Sequence, residues 1–426
     1  MAERTSVRRP ALGGGLLTIA VMTMNVTTYL FTILAARLLG PAEFGAVGAL
    51  SGVLLVLNVV ALGLQTTGAR RVSISPDRRE DIEKVVLATS WRLGLVLSVV
   101  CLLATPLLEA AFRLDSYATA AVMALSLLPQ TVLFGMVGIL QGERRWLSLV
   151  WIYAAFGIVR LIVGALAMWI WPTALSAMLG ILFGALIPML VAGVVLRRGR
   201  AARVAAAGPP DEVPGIRDLA FEVGRNSHAL LAFLAVSGAD MVVARIVLSD
   251  HESGLYAGGL ILVKAVLFLP QFVILLAFPA LSTGGSRSHS VRRTALASVF
   301  AMGLAVIAGT ALLPDLALIV VGGPEYASIA DHLWLYAVLG TALSIMQLLV
   351  YDVVARQSHR VTTFIWLALV GIILSSPFVS SELELLRWVT VVDVACTSIL
   401  VLFSLRLSEQ PRASSNPSRP RRPAAR

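Results

Sequence analysis

Ala36-Arg37-Leu38-Leu39-Gly40-Pro41-Ala42-Glu43-Phe44-Gly45 returns as Ala244-Arg245-Ile246-Val247-Leu248-Ser249-Asp250-His251-Glu252-Ser253-Gly254. Arg37 to Arg245 is 208 positions; Glu43 to Glu252 and Gly45 to Gly254 are 209, so one residue is inserted between the anchors. Ser116-Tyr117-Ala118 and Glu325-Tyr326-Ala327 keep the 209-residue offset. Each copy lies between long apolar runs. Duplicated helical units with matching turns are a common construction of membrane carriers.

Composition agrees. Of 426 residues, 58% are hydrophobic and 14% charged, with a mean hydropathy of +0.87. A soluble domain is nearer about half apolar and a quarter charged. The net charge of +10 does not point to nucleic acid, because the basic residues sit between apolar runs, as topology signals do. Cys101 and Cys396 both fall in apolar segments and read as small membrane-core residues, with no disulfide framework or metal site. Arg8-Arg9 before an apolar stretch resembles a signal peptide, but the stretch 11–36 is too long for one, so it reads as a retained first helix.

A span needs about 20 apolar residues. Twelve are expected, at roughly 12–36, 44–67, 85–108, 117–140, 147–170, 174–196, 218–248, 254–281, 291–313, 333–355, 361–379 and 385–406. With these spans, one side of the membrane carries 26 basic residues in its connections and the other carries Arg37, Arg113 and Arg387 alone. That asymmetry puts both termini in the cytoplasm. The expected class is an all-α polytopic membrane protein of two six-helix bundles, related by a pseudo-two-fold axis along the membrane normal. The expected organisation is a cytoplasmic N-terminus (1–11), a first bundle (12–196), a Gly-Pro-Pro-containing linker (197–217), a second bundle (218–406) and a disordered basic tail (407–426). The tail is suited to anionic headgroups or to topology anchoring.

Five basic residues remain inside spans: Arg92, Arg160, Arg225, Arg245 and Lys264. Each costs roughly 2.5–3.5 kcal/mol at the bilayer centre, so depth decides their reading. Arg92 and Arg225 lie near the cytoplasmic ends of their helices, where snorkelling competes with a role in a cavity. Arg245, like Arg37, is expected as an interface anchor. Arg160 and Lys264 are too deep to snorkel and should face a wet cavity or a counter-charge. Asp240 is either half of a structural pair or a coupling carboxylate. Asn58, Gln65, Gln130 and Gln347 read as interhelical glue, and Asn25 and Asn226 as cavity residues.

Several stretches resemble the polysaccharide-export flippases of the multidrug/oligosaccharidyl-lipid/polysaccharide transporter superfamily. The 36–45 run is similar to that family's first external turn. Asp240 with Gly254-Leu255-Tyr256-Ala257 resembles its seventh-to-eighth helix signature, and Phe278-Pro279-Ala280-Leu281-Ser282 the end of its eighth helix. Gly323-Pro324-Glu325-Tyr326-Ala327 and Leu140-Gln141-Gly142 resemble its ninth-to-tenth turn and fourth-helix end. The resemblance implies two bundles that rock between inward- and outward-open states, with a polyprenyl-diphosphate-linked oligosaccharide as substrate and a cationic cavity. Positions that match such a cavity are Arg160, Lys264, Arg225 and Arg92, joined by Asn25 and Asn226. The first helix carries no charge between Arg9 and Arg37, unlike lipid II flippases, which disfavours a peptidoglycan precursor. The implied setting is the bacterial inner membrane, beside the glycosyltransferases or polymerase of the same route.

No nucleotide-binding loop occurs in the short cytoplasmic connections, and no cofactor is expected. A membrane potential or ion gradient is the expected drive, with Asp240 as coupling site. A cation-coupled multidrug exporter of the same fold is the principal alternative; it would want acidic cavity residues. A major-facilitator carrier lacks its charged Gly-rich loop in 67–84. A membrane glycosyltransferase would need paired outer carboxylates, which the short outer connections do not supply.

Overall fold

Hydrocarbon cannot satisfy backbone N–H and C=O groups, so apolar segments must bond within themselves as helices. A computed structural model describes residues 8–201, 216–226, 228–282, 286–356 and 359–409, and no strand occurs among them. The helices of the first half are α1 (Arg8–Leu57), α2 (Val59–Ile74), α3 (Arg79–Leu103), α4 (Thr105–Phe112), α5 (Tyr117–Gly142), α6 (Trp146–Ile170) and α7 (Ala174–Ala201). Then follow α8 (Ile216–Asn226), α9 (His228–Val247), α10 (Asp250–Ser282), α11 (Ser286–Leu312), α12 (Pro314–Val321), α13 (Leu333–Arg356), α14 (His359–Ser375) and α15 (Glu382–Glu409). Among the described residues, nine stretches are long and apolar enough to cross a membrane. One of them, Thr18–Ile74, takes in the second expected span and all of the first from Thr18 on. Most of the expected 197–217 linker and of the basic tail lies outside the described residues.

The first repeat is the bend in α1. Gly40 has φ 69° and ψ 173°, a region open essentially to glycine alone. Helix resumes at Pro41, whose ring already holds a helical φ. A Cβ on Gly40 would also lie 3.0 Å from Glu325 Oε2. Gly40→Ala should therefore cost about 1–3 kcal/mol, read as a lowered melting temperature of the purified protein.

The expected seventh span, 218–248, is two helices. Arg217, Asp218, Glu222 and Arg225 make α8 too polar for the bilayer core, and one apolar stripe of it, through Leu219 and Val223, is buried while Phe221 is exposed. Leu219 packs into a cluster with Val72, Ile82 and Val86, so α8 rests on the first half of the molecule. Glu222 accepts hydrogen bonds from Arg70 at 2.6 Å and Arg71 Nε at 3.0 Å. Partial burial raises the Glu222 carboxyl, but the Arg71 hydrogen bond and the Arg71 and Arg70 charges outweigh it and hold it below its ordinary range. This contact is therefore present at neutral pH and is lost as pH falls through that lowered value.

The halves meet at the end that the charge count assigns outside, here the outer end. A Cβ on Gly45 would sit 2.9 Å from Gly254 N, and one on Gly52 2.8 Å from Gly238 O. A Cβ on Gly254 would overlap the Pro41 carbonyl. Small residues bring the two backbones into contact. A large apolar cluster, including Phe44, Leu50, Val236, Tyr256 and Tyr336, spans both halves.

Arg245 is not the interface anchor expected. It is 3% exposed and reaches across the joint. Its Nε donates to Phe112 O at 2.8 Å, and its terminal nitrogens donate to Ala42 O at 3.2 Å and Arg113 O at 3.4 Å. Arg113 reaches back, donating to Arg245 O at 2.7 Å, Leu248 O at 2.6 Å and Asp250 Oδ1 at 2.7 Å. Arg37, the repeat partner of Arg245, donates to Ile319 O on α12. Tyr326 donates to Ala36 O at 3.2 Å. The repeated motif is thus a set of reciprocal clamps, each half capping carbonyls of the other.

Candidate functional site

Beneath this joint the two arms of α1, with α5, α6, α7 and α10, enclose a cavity of about 220 Å³. Its polar lining includes Tyr29, Asn58, Gln130, Arg160 and Lys264. Arg160 sits on α6, which glycines press against α7: a Cβ on Gly180 would fall 2.6 Å from Gly164 Cα, and one on Gly184 2.6 Å from Arg160 Cβ. That packing leaves the side chain one direction, over the Phe31 ring, with Cζ 4.6 Å from the centroid. The contact is a cation–π interaction and uses no hydrogen-bond donor. Lys264 is exposed and lines the same cavity from α10.

Neither cation is within salt-bridge distance of a carboxylate among the described residues, and the described lining holds no acid. Three buried lining atoms, Tyr29 Oη, Asn58 Oδ1 and Arg160 Nε, have no hydrogen-bond partner. Buried polar groups in folded proteins are nearly always satisfied, so these three atoms leave unused hydrogen-bonding capacity on one cavity wall. A drug-sized ligand needs about 300–1,000 Å³, so in this state the cavity is smaller than a drug-sized ligand requires.

The sequence-derived positions divide. Arg160 and Lys264 converge. Arg92 is exposed on α3 and outside the lining, as snorkelling requires. Asn25 is half-buried one turn before Tyr29 and also outside it. Arg225 and Asn226 end α8; their side chains lie outside the described residues. Asp240 is buried: its Oδ2 accepts from Tyr256 Oη at 3.0 Å and its Oδ1 from Met241 N at 2.7 Å. It is outside the lining of this cavity but lies within electrostatic reach of Lys264. Gln65 acts as the glue expected, donating to Gln141 at 3.1 Å and Tyr153 at 2.9 Å. Asn58 and Gln130, read as glue, do bond each other at 2.9 Å but also face the cavity. Tyr29 and Phe31 were not foreseen; a neutral aromatic in an apolar helix carries no sequence signal separating cavity from core.

Solved structures show the same fold. An inward-facing multidrug resistance MATE family transporter of the MOP superfamily superposes with a TM-score of 0.65 at 13% identity, covering 92% of this chain and 98% of that one. The outward-facing form of such a transporter gives 0.63 at 15%, covering 93% and 95%. A MOP superfamily transporter from Pyrococcus furiosus, described as having a binding pocket of reverse polarity, gives 0.64 at 14%, also covering 93% and 95%. None of the curated proteins matches the chain significantly. The model of the family described as polysaccharide biosynthesis protein matches residues 12–284. Family and fold are those of multi-pass membrane transporters, not enzymes, and by that match the chain belongs to the polysaccharide biosynthesis protein family.

Proposed function

We propose that this transporter flips a polyprenyl-diphosphate-linked oligosaccharide from the inner to the outer leaflet of the bacterial plasma membrane by alternating access. The observation that carries this reading is the convergence of Arg160 and Lys264 on one acid-free cavity with unsatisfied polar atoms. A diphosphate cannot cross about 30 Å of hydrocarbon unaided. Two fixed cations replace its hydration shell with charge-assisted hydrogen bonds. A cavity of about 220 Å³ fits the diphosphate alone, so sugars and lipid tail project beyond it, the tail toward the bilayer. Opening the outer clamps then releases the headgroup outside. Asp240, in reach of Lys264, is the coupling carboxylate, since protonation or cation binding there changes the field on the cavity. The source of substrate is the glycosyltransferases of the same route, and its polymerase is the next consumer.

The test is flipping in proteoliposomes of a short-chain polyprenyl-diphosphate sugar carrying a fluorophore, with dithionite bleaching the exposed leaflet. Dye on the inner leaflet should become bleachable only when the transporter is present. If a lipophilic cation such as ethidium is transported instead, the fold is serving as a multidrug exporter, a reading favoured by the MATE structures it resembles. Orientation is tested separately: a cysteine at Ser328 should label from outside and one at Ser286 from inside.

A further inference from the structure

The second half contains a set of buried acids and phenols that the cavity does not use. Asp240 on α9 accepts from Tyr256 Oη at 3.0 Å. The Tyr256 ring lies against Tyr336 on α13, with centroids 5.8 Å apart and planes at 58°. Tyr336 Oη hydrogen-bonds Glu382 Oε1 at the start of α15. Tyr256 and Tyr336 are fully buried, and Glu382 is 7% exposed. His332, at the end of the 324–332 turn at the outer end, lies within electrostatic reach of Glu382 and has an unpartnered buried Nδ1. Gly259, one turn after Tyr256, is what admits Tyr336: a Cβ there would collide with the ring at Cζ, beside the hydroxyl. An apolar contact alone needs no such chain; burying hydroxyl and carboxyl groups costs energy that leucine or phenylalanine would not.

We propose that Asp240 exchanges a proton with the outer face through a relay of Tyr256, Tyr336 and Glu382, with His332 at its mouth. This deepens the coupling role proposed for Asp240 by naming the ion and its route. A proton taken up by Glu382 passes to the Tyr336 oxygen as Tyr336 releases its own phenolic proton toward Tyr256. Tyr256 then gives its proton to the Asp240 carboxylate. At Glu382 and at each phenol oxygen one O–H bond forms and one breaks, so neither phenol keeps a charge, and the Asp240 carboxylate ends with the one proton taken up. The Tyr336–Tyr256 step has ring contact and no direct hydrogen bond, so it sets the rate.

Charged and titratable groups reach Asp240 from three of the helices packed on α9: Tyr256 and Lys264 from α10, Tyr336 from α13 and Asp393 from α15; α14, α2 and α4 also pack on α9, and none of their described groups is among those acting on Asp240. From α1 the facing residues at this level are glycines, Gly48 and Gly52. Around Glu382 stand Tyr336, His332 and Glu252. A proton fits this site better than a metal ion. Both Asp240 oxygens already accept hydrogen bonds, and the described residues hold no group of three His, Cys, Asp or Glu side chains suited to a metal.

The experiment is infrared difference spectroscopy of the full-length protein in lipid after a rapid pH step, with no glycan present. A carboxyl C=O band that vanishes in Asp240→Asn reports the acceptor. In Tyr336→Phe and Glu382→Gln the band should reach the wild-type amplitude at a rate lower by at least about tenfold, as loss of an acid–base group does. Glu382→Asp should recover much of the rate, which a purely structural role would not predict. Unchanged rates in both variants would overturn the relay. So would a wild type with no Asp240-dependent band, or a band removed by sodium at constant pH. Because no glycan takes part, failure here leaves flipping untouched, and failure of flipping leaves this rate measurable.

Discussion

Arg160→Ala and Lys264→Ala should each abolish surface-glycan export while the protein still reaches the membrane. A hydrogen bond to a charged group contributes about 1.5–3 kcal/mol, and every 1.4 kcal/mol is about a factor of ten. Losing one cation from a two-cation site should therefore slow flipping by roughly 10- to 150-fold at least, more because the diphosphate is desolvated there. Stability should move the other way. Arg160 has a buried, unsatisfied Nε and a ring beneath it, and no carboxylate is orphaned by its removal. Relieving an unpaired internal charge is neutral or stabilising, so the melting temperature of Arg160→Ala should hold or rise while export is lost. Arg160→Lys keeps the charge and gives up the planar fork, so partial export is expected. The measurement is complementation of a deletion strain, scored by surface glycan at matched membrane abundance. Full restoration by both alanine variants would remove the cationic cavity from the mechanism.

Those two residues were legible in the sequence because depth is a one-dimensional quantity. Arg160 lies some fifteen residues into its apolar run, too far for its side chain to reach water along the helix. The same reasoning placed Arg245 at an interface, since it sits at a helix end. What buries it is three carbonyls of the other half, Phe112, Ala42 and Arg113, which no local pattern reveals. The repeat showed in letters that two turns correspond; only folding shows that they face each other and exchange caps. The break in the seventh span was half visible. The charges of 217–225 were present in the sequence, but an apolar count blurred them into the run that follows. Tyr29 and Asn58 stayed hidden because a neutral polar residue that glues helices and one that lines a cavity are the same residue until a neighbour fails to satisfy it.

Arg245→Ala should open the outer end. The substitution leaves Phe112 O, Ala42 O and Arg113 O without the donor they have now. An unsatisfied buried acceptor costs about 1–3 kcal/mol, and the loss falls only on the state in which the halves are joined. Once the joint opens, water supplies the missing donors. The substitution therefore acts as a bias on the conformational equilibrium, and about 5.5 kcal/mol suffices to turn a 99:1 population into its inverse. Arg113→Ala should act in the same direction, since it uncaps Arg245 O and Leu248 O and removes one of the two arginines paired with Asp250. Gly254→Val reaches the same end by sterics, its side chain colliding with the Pro41 carbonyl without touching any donor. The readout is a cysteine at Ser51, which lines the cavity, in a background with the buried Cys101 and Cys396 replaced. A membrane-impermeant thiol reagent added outside should leave Ser51→Cys unlabelled in the parent and label it in all three variants. Equal protection in all three would mean that the clamps are incidental to the joint and that apolar packing alone closes it. Labelling by Gly254→Val but by neither arginine variant would assign the seal to the glycine contact, and the repeated arginines would then serve folding rather than gating.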